Sequence, residues 1–330
     1  MICEHEDKIF SADQHSFEQF ALDIFHFQYQ YNPLYKEYVN ALHVVGEKVK
    51  TLQQIPFLPI SFFKTQQVKT TAFEPEVVFE SSGTTGMINS RHEVKHLSLY
   101  RESFLKAFEL FYGPVEDWCI IGLLPSYLER QHSSLVVMVD ELVKRSGHSA
   151  SGFYLYEHDK LQQALLQLEE KGQKTLLVGV TFALLDFAVQ FPMPLKHTII
   201  METGGMKGRR EEITRQEVHA VLKQAFELPV IHSEYGMTEL LSQAYSDGNG
   251  VFRCPPWMKI MVRDENDPLD VRSKGNGIVN VIDLANIYSC AFIATDDVGH
   301  VFEDGSCEIQ GRRDNSDIRG CSLMVSDVNG

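Results

Sequence analysis

The hydrophobic and polar positions of this chain change their pattern near residue 77 and again near residue 245. Between these points, short apolar runs predict strands, and stretches with apolar residues at helical spacing predict helices. The predicted strands are 77–79, 118–124, 174–178, 197–201 and 229–232, and the predicted helices are 98–112, 133–145, 160–171, 181–190 and 211–226. Strands that alternate with such helices favour an α/β fold with a mostly parallel, doubly wound sheet.

The segments on either side follow other patterns. Aromatic and aliphatic residues at helical spacing predict a buried amphipathic helix over 17–31, and two prolines within 55–60 predict an extended arm laid over the core. After residue 245, short apolar runs at 278–284, 291–295, 300–303 and 307–310, separated by Asp, Gly and Asn, predict a β-rich lobe with tight turns. We therefore predict a lead-in and arm at 1–76, an α/β core at 77–245 and a β-rich lobe at 246–330, which could form one composite domain.

Composition narrows the class of protein. The 330 residues are 44% hydrophobic and 23% charged, as in an ordinary globular chain with a large core. The formal net charge of −15 disfavours binding to nucleic acid or to anionic membrane surfaces. The chain starts without a signal-peptide pattern, no apolar run is long enough to span a bilayer, and the six cysteines form no C-x-x-C pair. We expect a cytoplasmic protein with reduced thiols, without membrane insertion.

A loop of small polar residues follows the first predicted strand. Because its side chains do not extend beyond a hydroxyl, a polyanion can approach the backbone N–H groups, and its glycines permit the required backbone angles. The loop lacks the Gly-Lys-Ser/Thr ending of a P-loop. Taken alone, a surface turn explains it equally well. Its residues are Ser81, Ser82, Gly83, Thr84, Thr85 and Gly86.

Four further segments place polar side chains at predicted turns. EYGMTE at 234–239 follows a predicted strand, at the edge of a doubly wound sheet where ligands bind. Gly204 and Gly205 follow another strand and would let a flat ring lie against the backbone. The remaining two segments are TDDVG at 295–299 and GRRD at 311–314. An ordinary turn is the stronger interpretation of either one alone.

Taken together in chain order, with the 81–86 loop first and then the Gly-Gly pair, EYGMTE, TDDVG and GRRD, the five segments resemble the adenylate-forming superfamily of acyl-CoA synthetases, luciferases and peptide-synthetase adenylation domains, from about residue 77 to 322. The resemblance implies the large N-terminal domain of that fold, with the hydroxyls of the 81–86 loop holding the β- and γ-phosphates of ATP. It implies that Tyr235 flanks the adenine, that Thr238 contacts the α-phosphate and that Glu239 coordinates Mg²⁺. Asp297 would bind the ribose, and Arg312 matches the arginine of the last motif.

Other segments are similar to the acyl-protein synthetase of the bacterial bioluminescence fatty-acid reductase complex, over nearly the whole chain. They are NPLY at 32–35, IPFLPISFFK at 55–64, LPSYLERQHSSLVVMV at 124–139 and DIRGCSLMV at 317–325. This resemblance implies an AMP-forming ligase that activates a fatty acid with ATP and carries the acyl group on Cys321 for an acyl-accepting reductase. Phenylacetate-CoA ligases are the next nearest relatives.

Several alternatives stay open. The last lysine is Lys274, so the resemblance implies that the small C-terminal domain with its catalytic lysine is missing. The positive charge of that catalytic lysine could be supplied instead by Mg²⁺, by Arg312, by a basic residue of 206–210 or by a partner chain. Coenzyme A could replace the protein thiol in a CoA ligase, and a non-catalytic nucleotide-binding subunit is a further interpretation. Candidates for the wall of the acyl site are Ser126, Arg130, His132 and Ser133.

Overall fold

The computed structural model describes residues 6, 8–81, 88–124, 132–204 and 213–312. Helices α1 to α8 are, in order, Phe17–Tyr31, Pro33–Ala41, Phe62–Thr65, Leu97–Tyr112, Ser134–Ser146, His158–Glu170, Thr181–Gln190 and Arg215–Phe226. Strands β1 to β15 are Leu58–Pro59, Val77–Glu80, Arg91–Val94, Cys119–Leu123, Gly152–Phe153, Thr175–Gly179, Thr198–Glu202, His232–Tyr235, Ala244–Ser246, Val251–Phe252, Met258–Arg263, Val271–Arg272, Gly275–Asp283, Phe292–Val301 and Cys307–Arg312.

A six-stranded sheet forms the α/β core, in the order β5-β4-β6-β7-β8-β9. All neighbouring strands pair in parallel except β9, which runs antiparallel to β8. Every residue of β4 and β6 is buried, because helices cover both faces of a parallel sheet, and this burial explains their continuous apolar sequences. The predicted doubly wound sheet is confirmed.

The first predicted strand does not join this sheet. Instead, β2 pairs antiparallel with β3 in a separate two-stranded sheet, from Val77 opposite Val94 to Glu80 opposite Arg91. The prediction of β2 as part of the parallel series is therefore wrong, and the 81–86 loop lies between the strands of a hairpin. Its partner β3 reads RHEV, and only His92 and Val94 are buried, so its apolar content is too low to predict a strand.

The strand predicted at 229–232 is displaced toward the C-terminus. The observed strand β8 is His232–Tyr235, so Glu234 and Tyr235 lie within a strand and not in the loop after it. Alternate residues Ser233 and Tyr235 are buried while the other two are partly exposed. Because most of its residues are polar, this strand contains no apolar run from which it could be predicted.

The β-rich lobe is a seven-stranded sheet with the order β10-β15-β14-β13-β11-β12. The arm at 55–60 contributes β1, where Leu58 pairs in parallel with Ile293 of β14. The segments predicted separately at 291–295 and 300–303 are one strand, β14, whose pairing with β15 shifts register between Val298 and Gly299. Strand β11, which lies between β13 and β12 near one edge of this sheet, is not predicted from the sequence.

The two large sheets and the arm bury one continuous cluster of apolar side chains. The boundaries proposed at residues 76 and 245 stay predictions. None of the helices within the described ranges is both long and apolar enough to cross a membrane. The carboxyl end of β8, the β2–β3 hairpin and the β14–β15 pair carry the predicted site residues.

Candidate functional site

Tyr235, Asp297 and Arg312 come together although they are distant in the sequence. The Tyr235 hydroxyl donates a hydrogen bond of 2.6 Å to Asp297 Oδ2, and Arg312 Nε lies 3.8 Å from Asp297 Oδ1. Asp297 and Arg312 are paired across β14 and β15. Burial raises the pKa of Asp297, while the Tyr235 hydrogen bond and the Arg312 charge act in the opposite direction. Three residues that the resemblance selects thus form one polar cluster.

Thr238 and Glu239 lie against the hairpin that carries the 81–86 loop. The ring of His92 on β3 is hydrogen-bonded through Nδ1 to the Thr238 carbonyl, at 2.8 Å. Ser90 hydrogen-bonds the Glu239 carboxylate through its side chain, and its backbone N–H donates to Ser81 Oγ at 2.9 Å. The first residue of the loop is therefore connected to Glu239 through Ser90. The rest of the predicted loop, Ser82, Gly83, Thr84, Thr85 and Gly86, lies outside the described residues.

The surroundings of Glu239 fit a magnesium ion that is shared with a nucleotide. The side chain is buried, and burial raises the pKa of Glu239, whereas Ser90, Arg312 and Lys64 lower it. Among the described residues, no group of three His, Cys, Asp or Glu side chains could hold a metal ion. Mg²⁺ in nucleotide sites needs only one or two carboxylates, because phosphates and water complete its shell. The single buried carboxylate of Glu239 is therefore sufficient for such a site.

Gly204 occupies a tight turn after β7. Its φ of 78° lies in the left-handed region, which glycine adopts without a steric penalty. Glu202 accepts hydrogen bonds from the Gly204 N–H, at 2.7 Å, and from the Thr181 hydroxyl. Gly205 and the basic residues of 206–210 lie outside the described residues. The structure therefore describes only the first half of the predicted Gly-Gly site.

Two charged residues near these motifs are not predicted from the sequence. Arg215 lies 4.0 Å from Glu202 through Nε and donates through Nη1 to the Ile309 carbonyl at 2.6 Å, so it connects the two large sheets. Lys64, at the end of the arm, acts electrostatically on Glu239. The arm was recognised in the sequence, but nothing there indicated that its lysine approaches the EYGMTE segment.

Glu234 is a second carboxyl beside Glu202. Burial first, and then the charge of Glu202, raises the pKa of Glu234 to about 8. A Cβ atom on Gly236 would lie 2.2 Å from Glu234 Oε1, so the bare glycine makes room for this carboxyl. A larger residue at this position of EYGMTE would require the Glu234 carboxyl to move.

We expect Glu234 to make stability depend on pH. Its pKa rises from 4.5 in the unfolded chain to about 8, so the folded state binds the additional proton. Its stabilising effect is complete below pH 4.5 and is lost as the pH rises to 8, with a slope of up to about 1.4 kcal/mol per pH unit. Urea unfolding across this range should show a flatter decline for Glu234→Gln. The exposed Glu109→Gln is the control, and equal slopes for Glu234→Gln and the wild type would contradict the assignment.

The structure describes two of the four candidates for the acyl-site wall. Ser133 caps α5, because its hydroxyl accepts the Val136 N–H at 3.4 Å, which supports its interpretation as a helix-start residue. The His132 carbonyl accepts a hydrogen bond of 2.9 Å from the Glu80 N–H, so this segment touches the β2–β3 hairpin. Ser126 and Arg130 lie outside the described residues.

The described cysteines are poorly suited to carry an acyl group. Burial raises the pKa of Cys290 and Cys307 to about 12 and also raises the pKa of Cys119 and Cys254. A thiol with a raised pKa is rarely present as the nucleophilic thiolate. Cys119 and Cys290 are fully buried in the apolar core. Cys321 lies outside the described residues.

Comparison with known proteins places the chain in a family. The model of the family described as acyl-protein synthetase, LuxE, matches residues 2–328. The chain belongs to this family. The prediction of an acyl-protein synthetase, and hence of a ligase, is therefore confirmed.

Two curated relatives of this chain share one name. The long-chain-fatty-acid–luciferin-component ligase of Aliivibrio fischeri is 23% identical over 337 residues, covering 94% of this chain and 88% of the relative. The ligase of that name from Vibrio harveyi is 24% identical over 326 residues, covering 91% and 85% respectively. The chain thus spans most of the length of both relatives.

Solved structures support the fold. The open conformation of 2-hydroxyisobutyryl-CoA ligase, solved in complex with 2-HIB-AMP and CoA, aligns with a TM-score of 0.62 at 11% identity, covering 92% of this chain and 72% of that chain. Its postadenylation state in complex with R3-HIB-AMP aligns with a TM-score of 0.61 at 10% identity, covering 93% and 70%. The predicted fold class of adenylate-forming enzymes is confirmed. The roles of individual site residues stay predictions.

Proposed function

We propose that this acyl-protein synthetase activates a fatty acid with ATP and Mg²⁺ and transfers the acyl group to a protein thiol. The observation that carries the proposal is the cluster beside Glu239 in which Asp297 accepts a hydrogen bond from Tyr235 and forms an ion pair with Arg312. A buried carboxylate next to an arginine suits a ribose, and the adjoining hairpin carries the loop proposed to hold phosphates. The names of the curated relatives support a long-chain fatty acid as the substrate.

The first half-reaction joins two anions. A carboxylate oxygen of the fatty acid attacks the α-phosphorus of ATP, the bond between the α-phosphorus and its bridging oxygen breaks, and pyrophosphate leaves with the electron pair. Catalysis therefore depends on positioning and on local positive charge. When bound at Glu239, Mg²⁺ supplies charge that offsets the phosphate oxygens. Arg312 and Lys64 are the described cations that act electrostatically on Glu239, and we propose that they contribute as well.

The second half-reaction moves the acyl group to sulfur. A thiolate attacks the carbonyl carbon of the acyl-adenylate, a thioester forms, and AMP leaves. We propose Cys321 as this thiol because the resemblance to the acyl-protein synthetases selects it, and the four described cysteines all have raised pKa values. An acyl-accepting reductase is the proposed partner, and coenzyme A is the competing acceptor.

A panel of carboxylic acids tests the function. We expect ATP–pyrophosphate exchange to be fastest with long-chain fatty acids and to need no coenzyme A, and we expect a covalent acyl-protein to accumulate. A product that forms only with coenzyme A would favour a CoA ligase. Absence of exchange with every acid would favour a non-catalytic nucleotide-binding subunit.

Replacing Asp297 with asparagine should weaken recognition of the ribose. Since a hydrogen bond to a charged group contributes about 1.5–3 kcal/mol, we expect the KM for ATP to rise about tenfold or more. The preference for ATP over 2′-deoxy-ATP should also shrink, measured by pyrophosphate exchange. The neighbouring, exposed Asp296→Asn is the matched control. An unchanged preference in Asp297→Asn would place the ribose elsewhere.

Removing the charge of Lys64 should slow adenylation moderately. Lys64 is exposed, so solvent screens its charge, and we expect Lys64→Ala to reduce the exchange rate by about threefold to tenfold. Lys64→Arg should retain most of the rate because it keeps the charge. The exposed Lys50→Ala is the control on the same N-terminal segment. Equal rates for Lys64→Ala and Lys50→Ala would exclude a role for this lysine.

A further inference from the structure

A small cavity adjoins the turn formed by Thr238 and Glu239, because two of its lining residues, His92 and Asn286, are hydrogen-bonded to the carbonyls of that turn. Its volume is about 10 Å³, and it is lined by residues of β3, the start of α4 and the segment that follows β13. Three of the lining residues have a buried polar side-chain atom with no hydrogen-bond partner among the described residues. These atoms are His92 Nε2, Asn286 Oδ1 and Ser289 Oγ.

The donor and acceptor roles of the three atoms follow from their other bonds. A carbonyl oxygen only accepts, so the contact to Thr238 requires the proton of the His92 ring to be on Nδ1. Burial keeps this ring neutral, which leaves a lone pair on Nε2. Asn286 donates through Nδ2 to the Glu239 carbonyl at 2.7 Å, so its Oδ1 is an acceptor as well. The Ser289 hydroxyl can donate.

Two acceptors and one donor match the hydrogen-bonding capacity of a single water molecule. Such a water donates one hydrogen bond to His92 Nε2 and another to Asn286 Oδ1, and it accepts a hydrogen bond from the Ser289 hydroxyl. A cavity of about 10 Å³ corresponds to one water-sized sphere, and buried waters typically make about three hydrogen bonds. We propose that this cavity binds one structural water and that His92, acting through it, is a positioning residue for the Thr238–Glu239 turn.

The proposed water would connect the side chains that hold the Thr238–Glu239 turn of the adenylation site. Its two acceptors belong to the side chains that hold the Thr238 and Glu239 carbonyls, one from β3 and one from the turn after β13. Phe63, next to Lys64, packs edge-on against the His92 ring at 5.6 Å between centroids. The arm, the hairpin and the Glu239 turn are thus fixed to one another at this point. This consequence for catalysis rests on the function proposed above.

The first test does not depend on activity. A high-resolution crystal structure should contain one water within hydrogen-bond distance of all three atoms, and NMR of labelled histidine should show the His92 ring protonated on Nδ1. The Ser289→Ala variant should lose this water or show it at reduced occupancy. A dry cavity in the wild type, or a ring protonated on Nε2, would overturn the proposal even if the enzyme is fully active.

The second test measures catalysis. Ser289 touches neither Thr238 nor Glu239 through its side chain, so Ser289→Ala should raise the KM for Mg-ATP about threefold to tenfold with little change in thermal stability. Ser146→Ala, which removes another buried serine hydroxyl, is the control. His92→Asn can keep the donor to Thr238 and should retain more activity than His92→Phe, which keeps neither polar atom. Loss of stability with an unchanged KM in all three site variants would indicate a purely structural role and overturn the proposal.

Discussion

Replacing Glu239 with glutamine should lower the rate of ATP–pyrophosphate exchange by about a hundredfold or more. The substitution keeps the shape of the side chain and its contact with Ser90, but it removes the negative charge that would bind Mg²⁺. Loss of one preorganised electrostatic group in an active site typically costs about 10²–10³ in rate. Exchange measured as a function of the Mg²⁺ concentration would show the loss, together with a higher half-saturating concentration of the metal ion.

A matched substitution separates this effect from a general loss of charge. Glu116 is exposed on the turn before β4, and Glu116→Gln should retain wild-type exchange and wild-type dependence on Mg²⁺. Thermal unfolding of both variants would reveal any misfolding. If Glu239→Gln kept the normal rate with an unchanged Mg²⁺ requirement, the assignment of this carboxylate to the metal would be wrong.

A Cys321→Ser variant should lose the covalent acyl label completely and still adenylate. The two half-reactions use different groups, because the α-phosphate is attacked by the fatty acid and the acyl-adenylate by the thiol. Serine has no thiolate and is a poor nucleophile without an adjacent base. Incubation with ATP and a radiolabelled fatty acid, followed by denaturing electrophoresis, would measure the label, and pyrophosphate exchange would measure the first step.

The corresponding control uses a described cysteine. Cys254 is partly exposed, but burial of the thiol raises its pKa, so Cys254→Ser should keep the label. A label that persists in Cys321→Ser would move the acyl group to another residue. Loss of both the label and pyrophosphate exchange in this variant would mean that Cys321 is needed for adenylation or for folding, and not only for accepting the acyl group.

Much of the fold could be predicted because burial on two faces leaves a clear signal. In β4 and β6 every residue is buried, and their apolar runs stand out between amphipathic helices. Where one face is exposed or polar, the signal weakens, as in β3 and β8. The separate hairpin could not be predicted, since whether β2 pairs with β3 or with β4 depends on contacts between residues far apart in the sequence.

The site was predictable to the extent that its residues belong to recognisable segments. Tyr235, Asp297 and Arg312 were selected through the resemblance, and the structure brings them together. Lys64 belongs to a segment that carries the resemblance and His92 belongs to none, and nothing in their neighbours marks either residue as a chemical group. Their proposed importance comes from the Thr238 carbonyl and the Glu239 carboxylate, which only the folded chain places beside them.

The pairing of Leu58 with Ile293 has a consequence for how the chain is made. During synthesis, β1 emerges from the ribosome long before its partner strand β14, and in that interval its backbone groups can pair with the wrong strand. Conversely, a truncated version that lacks the arm would leave part of the β14 edge unprotected and would be prone to aggregation. Recombinant versions of this protein should therefore retain the N-terminal segment.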